Sequence, residues 1–290
     1  MKLQYTARRE GRLSSFLQRE LKMSNGLINR LKWQQRLLVN GQSRHTDHPV
    51  LPGDEITVLL DEPVPEYPAE AGELTVIYED EHILAVDKPA GMLIHPSRAQ
   101  NTGTLANLVA GYYRATGQNS AFHPLTRLDR DTFGIVLLAK NSHIHSLLQA
   151  EKPKKTYHAL TCGHPPADSG VVDAPIARLP LPSLLRRVHP EGKPSVTEYW
   201  VLEKNEMLCK LKLRPVTGRT HQLRLHCAHM GCPIVGDPQY GSEESKALSR
   251  QFGYAWQQLC AVSLEFTHPI TGEALCLQSK MDVEFPETSC

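Results

Sequence analysis

The sequence lacks the features that place a protein in or across a membrane. Its longest apolar runs, such as residues 134–139, have the length of a strand and fall far short of the roughly 20 residues that a bilayer-spanning helix needs. Charged residues begin at Lys2, and no apolar segment of a secretory signal peptide precedes them. From these absences we expect a cytoplasmic protein with no membrane partner.

Paired cysteines and an excess of charge of one sign are also missing. The 7 cysteines are an odd number, none belongs to a CxxC pattern, and they are scattered through apolar surroundings. This pattern is typical of reduced, buried thiols rather than of a disulfide framework. The formal net charge is +1, so the bulk charge does not predict an anionic partner.

The basic residues are nevertheless unevenly distributed. Residues 1–44 contain ten lysines and arginines and two acids, whereas residues 61–81 contain eight acids and no base. A basic segment in a neutral chain indicates an anionic partner for that segment alone. On charge alone a solvated helical face is the better interpretation, so an anionic partner needs further support.

That support is a pattern of two helices and a hairpin in the same segment. Apolar residues at helical spacing predict a helix over 12–21, and Ser24 is placed to cap a second helix over 24–31. Asn40-Gly41 predicts a hairpin turn, and an alternating strand follows at 55–60.

This order of elements resembles the alpha-L RNA-binding domain, in which two helices present basic residues to folded RNA. The resemblance covers nearly all of residues 10–60. It implies that the RNA-binding residues of this segment are Arg12, Arg19, Arg30, Lys32 and Arg36.

We expect two domains joined by a linker. Residues 63–73 are rich in proline and acids, which is typical of a linker. Residues 1–62 then form a small α/β-hairpin RNA-binding domain, and residues 74–290 form a larger domain. In the larger domain, strands are predicted at 74–78, 83–86, 135–139, 156–161, 197–202, 208–213 and 260–266, and helices at 104–113 and 142–150. Neighbouring strands joined by short turns favour an α+β fold with a mixed, mainly antiparallel sheet.

A charge-dense segment at 127–134 runs directly into the predicted strand at 135–139. Loops at strand ends are frequent positions for catalytic groups. Asp129 stands between two arginines, which stabilise its ionised form and suit a nucleophile better than a general acid. The chemistry of this segment alone still favours a surface ion-pair loop over a catalytic one.

A second dense segment, at 215–226, contains Arg219, His221 and Arg224. If a helix begins near Arg219, that arginine lies in the first turn, where backbone N–H groups favour an anion. The histidines and cysteines between 221 and 232 invite a metal interpretation, but their spacing matches no common zinc pattern. We therefore interpret them as structural histidines and buried thiols, and we predict no metal.

Several motifs occur in a consistent order between residues 74 and 280. They are Asp87-Lys-Pro-Ala-Gly91, Arg127-Leu-Asp-Arg-Asp-Thr132, Lys155-Thr-Tyr157, Gly218-Arg-Thr-His-Gln-Leu-Arg-Leu-His226, Pro233-Ile-Val-Gly-Asp237 with Tyr240-Gly241, and residues 259–264 with His268-Pro269. Together they resemble the RNA pseudouridine synthases of the RluA/RluD class, which commonly carry an N-terminal alpha-L domain.

The resemblance implies an enzyme that isomerises uridine within RNA and uses no cofactor. The N1–C1′ bond breaks, the uracil turns, and C5 bonds to C1′. The family's nucleophile falls on Asp129, and its base-stacking aromatic falls on Tyr157, a residue that could also help to remove the C5 proton. The arginine that pairs with the aspartate falls on Arg219. Arg127 would fill the gap that the flipped nucleotide leaves in the RNA.

The sequence departs from the family pattern at two positions. Thr126 stands where histidine is usual, and Phe133 stands where serine or threonine is usual. Both departures put the local loop conformation, and with it the RNA specificity, in question. Without the family match, Tyr157 would be interpreted as a strand tyrosine that packs on a sheet.

Two other functions remain open. One is a ribosome-assembly factor that binds RNA on this fold without catalysis. The other is a hydrolase of N-glycosidic bonds, which would need a second carboxylate to activate water, and Asp131 is the only acid close to Asp129 in the sequence. The expected substrate is large-subunit ribosomal RNA, with transfer RNA as the alternative. We expect a monomer with no obligate protein partner.

Overall fold

The structure is a computed structural model that describes residues 2–60, 67–97, 99–180, 183 and 185–286. The linker predicted at 63–73 lies partly outside the described residues, and the predicted domain boundaries stay predictions. In the described part of the chain, the buried apolar residues between 3 and 60 form a cluster of their own. Most of the remaining buried apolar residues, between 83 and 283, form two further clusters.

The N-terminal segment folds as two helices and six short strands within its described residues. In chain order these are β1 (Lys2–Thr6), β2 (Gly11–Arg12), α1 (Leu13–Arg19), α2 (Asn25–Trp33), β3 (Leu37–Val39), β4 (Gln42–Ser43), β5 (Pro49–Val50) and β6 (Glu55–Leu59). The order β1-β6-β3-β4 makes one sheet, and β2 pairs with β5. The structure thus contains both predicted helices, the hairpin and the strand that follows it.

Local signals in the sequence set the ends of these elements. The Ser24 hydroxyl accepts a hydrogen bond of 3.3 Å from the Leu27 N–H and caps α2. Asn40 and Gly41 have φ angles of 51° and 77°, the left-handed backbone that a two-residue hairpin turn requires. The Asn40 amide also donates to the Asp54 carboxylate at 2.7 Å, which fastens the turn to the residues before β6.

The larger sheet has ten strands in the described residues. The elements of this part are β7 (Thr75–Glu79), β8 (Ile83–Lys88), α3 (Leu105–Ala115), β9 (His123–Pro124), β10 (Phe133–Ala139), α4 (Ser142–Glu151), β11 (Lys154–Cys162), β12 (Ser169–Asp173), β13 (Ile176–Arg178), β14 (Arg186–Val188), β15 (Val196–Lys204), β16 (Leu208–Pro215), α5 (Gln222–His229), α6 (Glu243–Gln251), β17 (Leu259–Thr267) and β18 (Ala274–Gln278). Eight strands follow the order β12-β15-β16-β11-β17-β10-β8-β7, while β18 pairs with β17 and β9 pairs with β10. The β10–β17 pair is parallel and the other pairs are antiparallel, which confirms the predicted α+β fold with a mixed, mainly antiparallel sheet.

Three central strands bring distant parts of the chain side by side. Ala261 of β17 pairs with Gly134 of β10 on one side and with Tyr157 of β11 on the other. Gly134 has a φ angle of 103°, and a Cβ atom at this position would lie 2.3 Å from the Ala261 carbonyl oxygen. The close approach of β10 and β17 therefore requires glycine at this position, and it fixes the loop before β10 beside Tyr157.

The structure differs from the sequence-based expectation in several elements. Helix α5 begins at Gln222, not near Arg219, and the polar helix α6 was not predicted. The strands β12, β13, β14 and β18 were missed because they are short or carry little apolar alternation. In the residues that the structure describes, no helix has both the length and the apolar character that crossing a bilayer takes.

Because two histidines are buried, we expect the stability of the folded protein to fall in acid. The side chains of His143 and His226 are 4% and 1% exposed, and burial lowers the pKa of each below the usual value. Below about pH 6.5 the unfolded chain therefore binds more protons than the folded chain, so stability falls as the pH falls. At pH 5.5 each histidine should cost up to about 1 kcal/mol. We expect the melting temperature to drop by up to about 4 °C between pH 7.5 and 5.5.

Two variants of helix α5 separate this effect from general acid sensitivity. His226 contacts the Thr197 hydroxyl at 2.9 Å and the Ala174 carbonyl at 3.0 Å, contacts that the amide of His226→Gln can imitate without titrating. His226→Gln should flatten the pH profile. His229→Gln should change it much less, because His229 is exposed and acts on His226 only through its charge. Equal profiles for the two variants would show that burial of His226 does not cause the acid sensitivity.

Candidate active site

The loop between β9 and β10 holds Asp129 in a defined turn. The buried Thr126 hydroxyl accepts a hydrogen bond of 3.2 Å from the Leu137 N–H. After the turn, the Thr132 N–H donates to the Asp129 carbonyl at 3.2 Å. The Asp129 side chain remains 31% exposed, so a ligand can reach its carboxylate. The first departure from the family pattern, Thr126, thus takes part in the support of the loop.

The second departure, Phe133, is accommodated by packing. Phe133 is the first residue of β10 and packs against the apolar cluster that includes Leu160, Leu248 and Cys260. Its neighbour Thr132 accepts a side-chain hydrogen bond from Gln257. Neither departure displaces Asp129 from the loop.

The Lys88 side chain stabilises the same loop through hydrogen bonds to backbone carbonyls. The side chain is fully buried, and its ammonium donates to the carbonyls of Pro89, Met92 and Arg130 at 2.8, 2.9 and 2.9 Å. Burial lowers the pKa of Lys88 to about 7, although the charges of Asp131 and Asp129 oppose that shift. Three carbonyl acceptors match the three N–H donors of an ammonium group. Lys88 therefore ties the turn at 89–92 to the residue that follows Asp129.

Arg224 of α5 is the arginine that pairs with Asp129. Its Nη1 lies 3.1 Å from Asp129 Oδ2, while Nε and Nη2 donate to the Asp237 carboxylate at 2.7 and 2.8 Å. The Arg224 side chain is 6% exposed and that of Asp237 is 1% exposed. Burial raises the pKa of Asp237, but the hydrogen bonds and charge of Arg224 outweigh it, so the net shift is downward. The buried Asp237 thus holds Arg224 in position and leaves Nη1 directed at Asp129.

The assignment of this pairing to Arg219 was wrong. Arg219 lies before the helix, and its Nε donates to the Pro194 carbonyl at 3.1 Å. The Gln222 side chain accepts from the Arg219 N–H at 3.0 Å, and His221 takes a left-handed φ angle of 58°, so α5 begins only at Gln222. This later start turns Arg224 toward Asp129 and Arg219 away from it.

Tyr157, the predicted stacking aromatic, lies on a central strand of the large sheet. It belongs to β11 and pairs with Leu213 of β16 and Ala261 of β17. Burial, followed by the charge of Asp129, raises the pKa of the Tyr157 hydroxyl. The phenol therefore keeps its proton at neutral pH. This favours the stacking role over a role in removing the C5 proton.

His221 is a further residue at the site to which the sequence assigned no role. Its Nε2 lies 3.8 Å from Asp129 Oδ2, and its Nδ1 lies 2.8 Å from the Tyr240 hydroxyl. Burial lowers the pKa of His221, although Asp129 opposes the shift. The imidazole is therefore neutral at pH 7. In the sequence, His221 could have been assigned to the site only from its place in the motif that contains Arg219 and Arg224.

The predicted RNA-binding residues lie at the surface. Arg12, Arg19 and Arg30 are exposed, and Lys32 and Arg36 are partly buried. Arg30 lines a cleft with Ser142 and Ser146 of α4, so the basic segment meets the larger part of the protein there. Arg127 is exposed two residues before Asp129, as expected of a residue that contacts RNA beside the reacting nucleotide.

The arrangement can attack a ligand with a carboxylate but is poorly suited to activating water. Asp131 forms a double contact with Arg130, at 2.7 and 3.1 Å, and Asp237 is covered by Arg224. Neither carboxylate is therefore available as the second group that hydrolysis of an N-glycosidic bond needs. The site thus combines an accessible, arginine-paired aspartate with a buried aromatic ring.

Comparisons with known proteins agree with this class of site. The family model for RNA pseudouridylate synthase matches residues 82–229. A Bacillus subtilis protein named an uncharacterized RNA pseudouridine synthase, YhcT, is 37% identical over 92% of this chain and 88% of its own. The ribosomal large subunit pseudouridine synthase D of Pasteurella multocida is 35% identical over 80% of this chain and 75% of its own. The human RNA pseudouridylate synthase domain containing 4 matches with a TM-score of 0.58 and 25% identity, over 71% of this chain and 88% of that one.

This chain belongs to the RNA pseudouridine synthase family. The family match confirms the resemblance on which the sequence-based assignment rested. It also makes the protein an isomerase that modifies uridine in RNA.

Proposed function

We propose that this protein isomerises specific uridines of large-subunit ribosomal RNA to pseudouridine, with Asp129 as the nucleophile. Relatives at 35% and 36% identity, from Pasteurella multocida and Escherichia coli, are named for the large ribosomal subunit, which favours that RNA over transfer RNA. The expectation from the sequence of a cytoplasmic monomer remains part of this proposal.

The observation that carries this proposal is the pairing of Asp129 with Arg224. Arg224 is held by the buried Asp237, so its charge is fixed before any ligand arrives. A fixed cation holds one oxygen of the carboxylate in place, while the exposed part of Asp129 remains open to the nucleotide. Such preorganisation suits a nucleophile that must be regenerated in each turnover.

The family resemblance implies the reaction, in which the residues of this site take the following parts. An oxygen of Asp129 bonds to C1′ of a flipped-out uridine as the N1–C1′ bond breaks, and the electron pair of that bond leaves with the uracil. The uracil turns against Tyr157, C5 attacks C1′, and the Asp129 carboxylate is released. The proton on C5 then passes to solvent and N1 gains a proton, so the product is an isomer of the substrate.

Mapping pseudouridine in cellular RNA tests this function. Ribosomal and transfer RNA from cells that lack the protein should be labelled with carbodiimide and read by primer extension. We expect a stop that returns with the wild-type gene but not with Asp129→Ala, and we expect it in large-subunit ribosomal RNA. A stop in transfer RNA would correct the substrate, and identical patterns in all strains would favour an RNA-binding protein without catalysis.

The basic N-terminal helices should govern affinity more than chemistry. Arg19 and Arg30 are exposed at α1 and α2, where they can contact phosphate. The double variant Arg19→Gln/Arg30→Gln should weaken RNA binding about tenfold and reduce the dependence of log K on log salt by about 0.7–0.9 for each phosphate that is no longer neutralised. The single-turnover rate at saturating RNA should change by less than about threefold.

A charge-matched control separates specific binding by these arginines from the effect of bulk charge. Lys204 is exposed at the end of β15, where it pairs with Asp168 at 2.7 Å, and Arg250 is exposed in the last turn of α6. The double variant Lys204→Gln/Arg250→Gln therefore removes two positive charges outside the N-terminal helices. It should leave both the affinity and the salt slope unchanged. If the double variant bound as tightly as wild type, the assignment of RNA binding to these helices would be wrong.

A further inference from the structure

An exposed tryptophan stands at the rim of the proposed active site. Trp256 precedes β17 and is 41% exposed, although it is a large apolar side chain. Its backbone is held against Gly236, where an added Cβ would lie 2.1 Å from the Trp256 carbonyl oxygen. Its indole packs on Gly91, where an added Cβ would lie 3.0 Å from the ring. Two glycines therefore allow the indole to lie against the backbone while part of the ring stays open to solvent.

Trp256 is connected to the loop that carries the nucleophile. The next residue, Gln257, donates a side-chain hydrogen bond to the Thr132 hydroxyl, and the Thr132 N–H donates to the Asp129 carbonyl. The Arg130 guanidinium lies 5.8 Å from the centre of the indole ring. The ring thus contacts the loop that carries Asp129, beside the residue that follows the nucleophile.

The chemistry of this pair fits one kind of ligand. A solvent-facing indole offers a flat surface on which a nucleobase can stack, and such stacking tolerates any base because every base has a π face. The Arg130 side chain is 54% exposed beside the ring. Its Nε and Nη2 contact Asp131, so Nη1 is the donor that would contact the phosphate of the same nucleotide. When a uridine leaves the helical stack, its neighbours lose a stacking partner, and an aromatic ring at the rim can replace it.

We propose that Trp256 is a stacking site for a nucleotide that flanks the target uridine, with Arg130 contacting the adjoining phosphate. This inference rests on the proposed function, because it assumes that RNA enters the site of Asp129. Trp256 lies outside the motifs on which the family resemblance rests. The proposed stacking site is therefore an RNA contact of this chain that is separate from the residues of the shared reaction. It positions RNA and takes no part in bond making.

Kinetics test the proposal with variants that differ in ring size. The substrate is ribosomal RNA from cells that lack this protein, and the reading is the rate of pseudouridine formation. Trp256→Ala should raise KM about tenfold, as expected for the loss of one stacked base, and change kcat by less than about threefold. Trp256→Phe should recover most of the loss because it keeps an aromatic face. Trp200→Phe, a change on β15, is the matched control and should behave as wild type.

Fluorescence gives a reading that does not depend on turnover. The chain has 3 tryptophans, so Trp33→Phe/Trp200→Phe leaves Trp256 as the sole indole emitter. In an Asp129→Asn background, the same ribosomal RNA should quench this emission, because a stacked base quenches indole. Quenching with a raised KM for Trp256→Ala supports the site. An unchanged KM together with unquenched emission overturns it.

The two readings also separate this inference from the proposed function. If wild type forms pseudouridine while the Trp256 variants match it and no quenching occurs, only the stacking site is wrong. If wild type forms no pseudouridine in any RNA but RNA still quenches Trp256, the proposed reaction fails while the RNA contact stands. If neither is seen, both are wrong. Should Trp256→Ala fail to fold, the KM of Trp256→Phe and the quenching of the single-tryptophan protein still test the stacking site.

Discussion

Replacing Asp129 by asparagine should abolish pseudouridine formation while RNA still binds. The asparagine amide has nearly the shape of the carboxylate but cannot form the covalent bond to C1′, so the rate should fall at least about 10³-fold. Arg224 keeps its contacts with Asp237, so the fold around the site should persist. The measurement is single-turnover pseudouridine formation, with affinity measured in parallel.

The neighbouring Asp131 is the matched control. It pairs with Arg130 at 2.7 Å and takes no part in the proposed chemistry, so Asp131→Asn should change the rate by less than about tenfold. If Asp129→Asn kept more than about a tenth of the wild-type rate, the carboxylate would not be the nucleophile. If Asp131→Asn proved as damaging as Asp129→Asn, the assignment between the two carboxylates would be unsupported.

Replacing Arg224 by methionine should damage both the stability and the activity of the protein. The variant leaves the buried Asp237 without its ion-pair partner, and breaking a buried pair of this kind costs about 3–5 kcal/mol. Asp129 also loses its fixed cation, so activity should fall at least about 100-fold even where the variant is folded. Thermal unfolding and single-turnover kinetics give the two readings.

The comparison with Arg219 makes this prediction specific. Arg219 is exposed and contacts the Pro194 carbonyl, so Arg219→Met should change stability by less than about 1 kcal/mol and leave single-turnover chemistry nearly intact. The double variant Arg224→Met/Asp237→Leu should regain much of the missing stability, because an apolar pair can replace a buried ion pair, but it should not regain the activity. If Arg219→Met were the more damaging of the two single variants, the pairing seen in the structure would not be the functional one.

The sequence predicts an element well where one local signal decides it. The Ser24 cap and the Asn40-Gly41 turn each work within a few residues, and both lie where the sequence placed them. Seven of the ten strands of the large sheet were also predicted, whereas the short strands β9, β12 and β18 were not. Helix α6 was missed because EESKALSRQ has few apolar residues and only one deeply buried one, Leu248.

The site was predictable in its residue types but not in all of its geometry. Asp129 and Tyr157 were proposed from their places in short motifs, and in the structure the charge of Asp129 acts on the Tyr157 hydroxyl. The choice between Arg219 and Arg224 depends on where α5 begins, and that start is set by the Gln222 side chain and by the left-handed backbone of His221. The start of the helix is thus set by a hydrogen bond between a side chain and the backbone of the same turn. The spacing of apolar residues does not reveal such a bond.

Release of the uracil C5 hydrogen tests the central claim most directly. Ribosomal RNA that carries tritium at C5 of uridine should be prepared from cells lacking this protein and incubated with the purified chain. The account predicts one tritium released to water for each pseudouridine formed, with no loss of base and no release by Asp129→Asn. Loss of uracil from the RNA, or an equal release by Asp129→Asn, would contradict isomerisation through this aspartate.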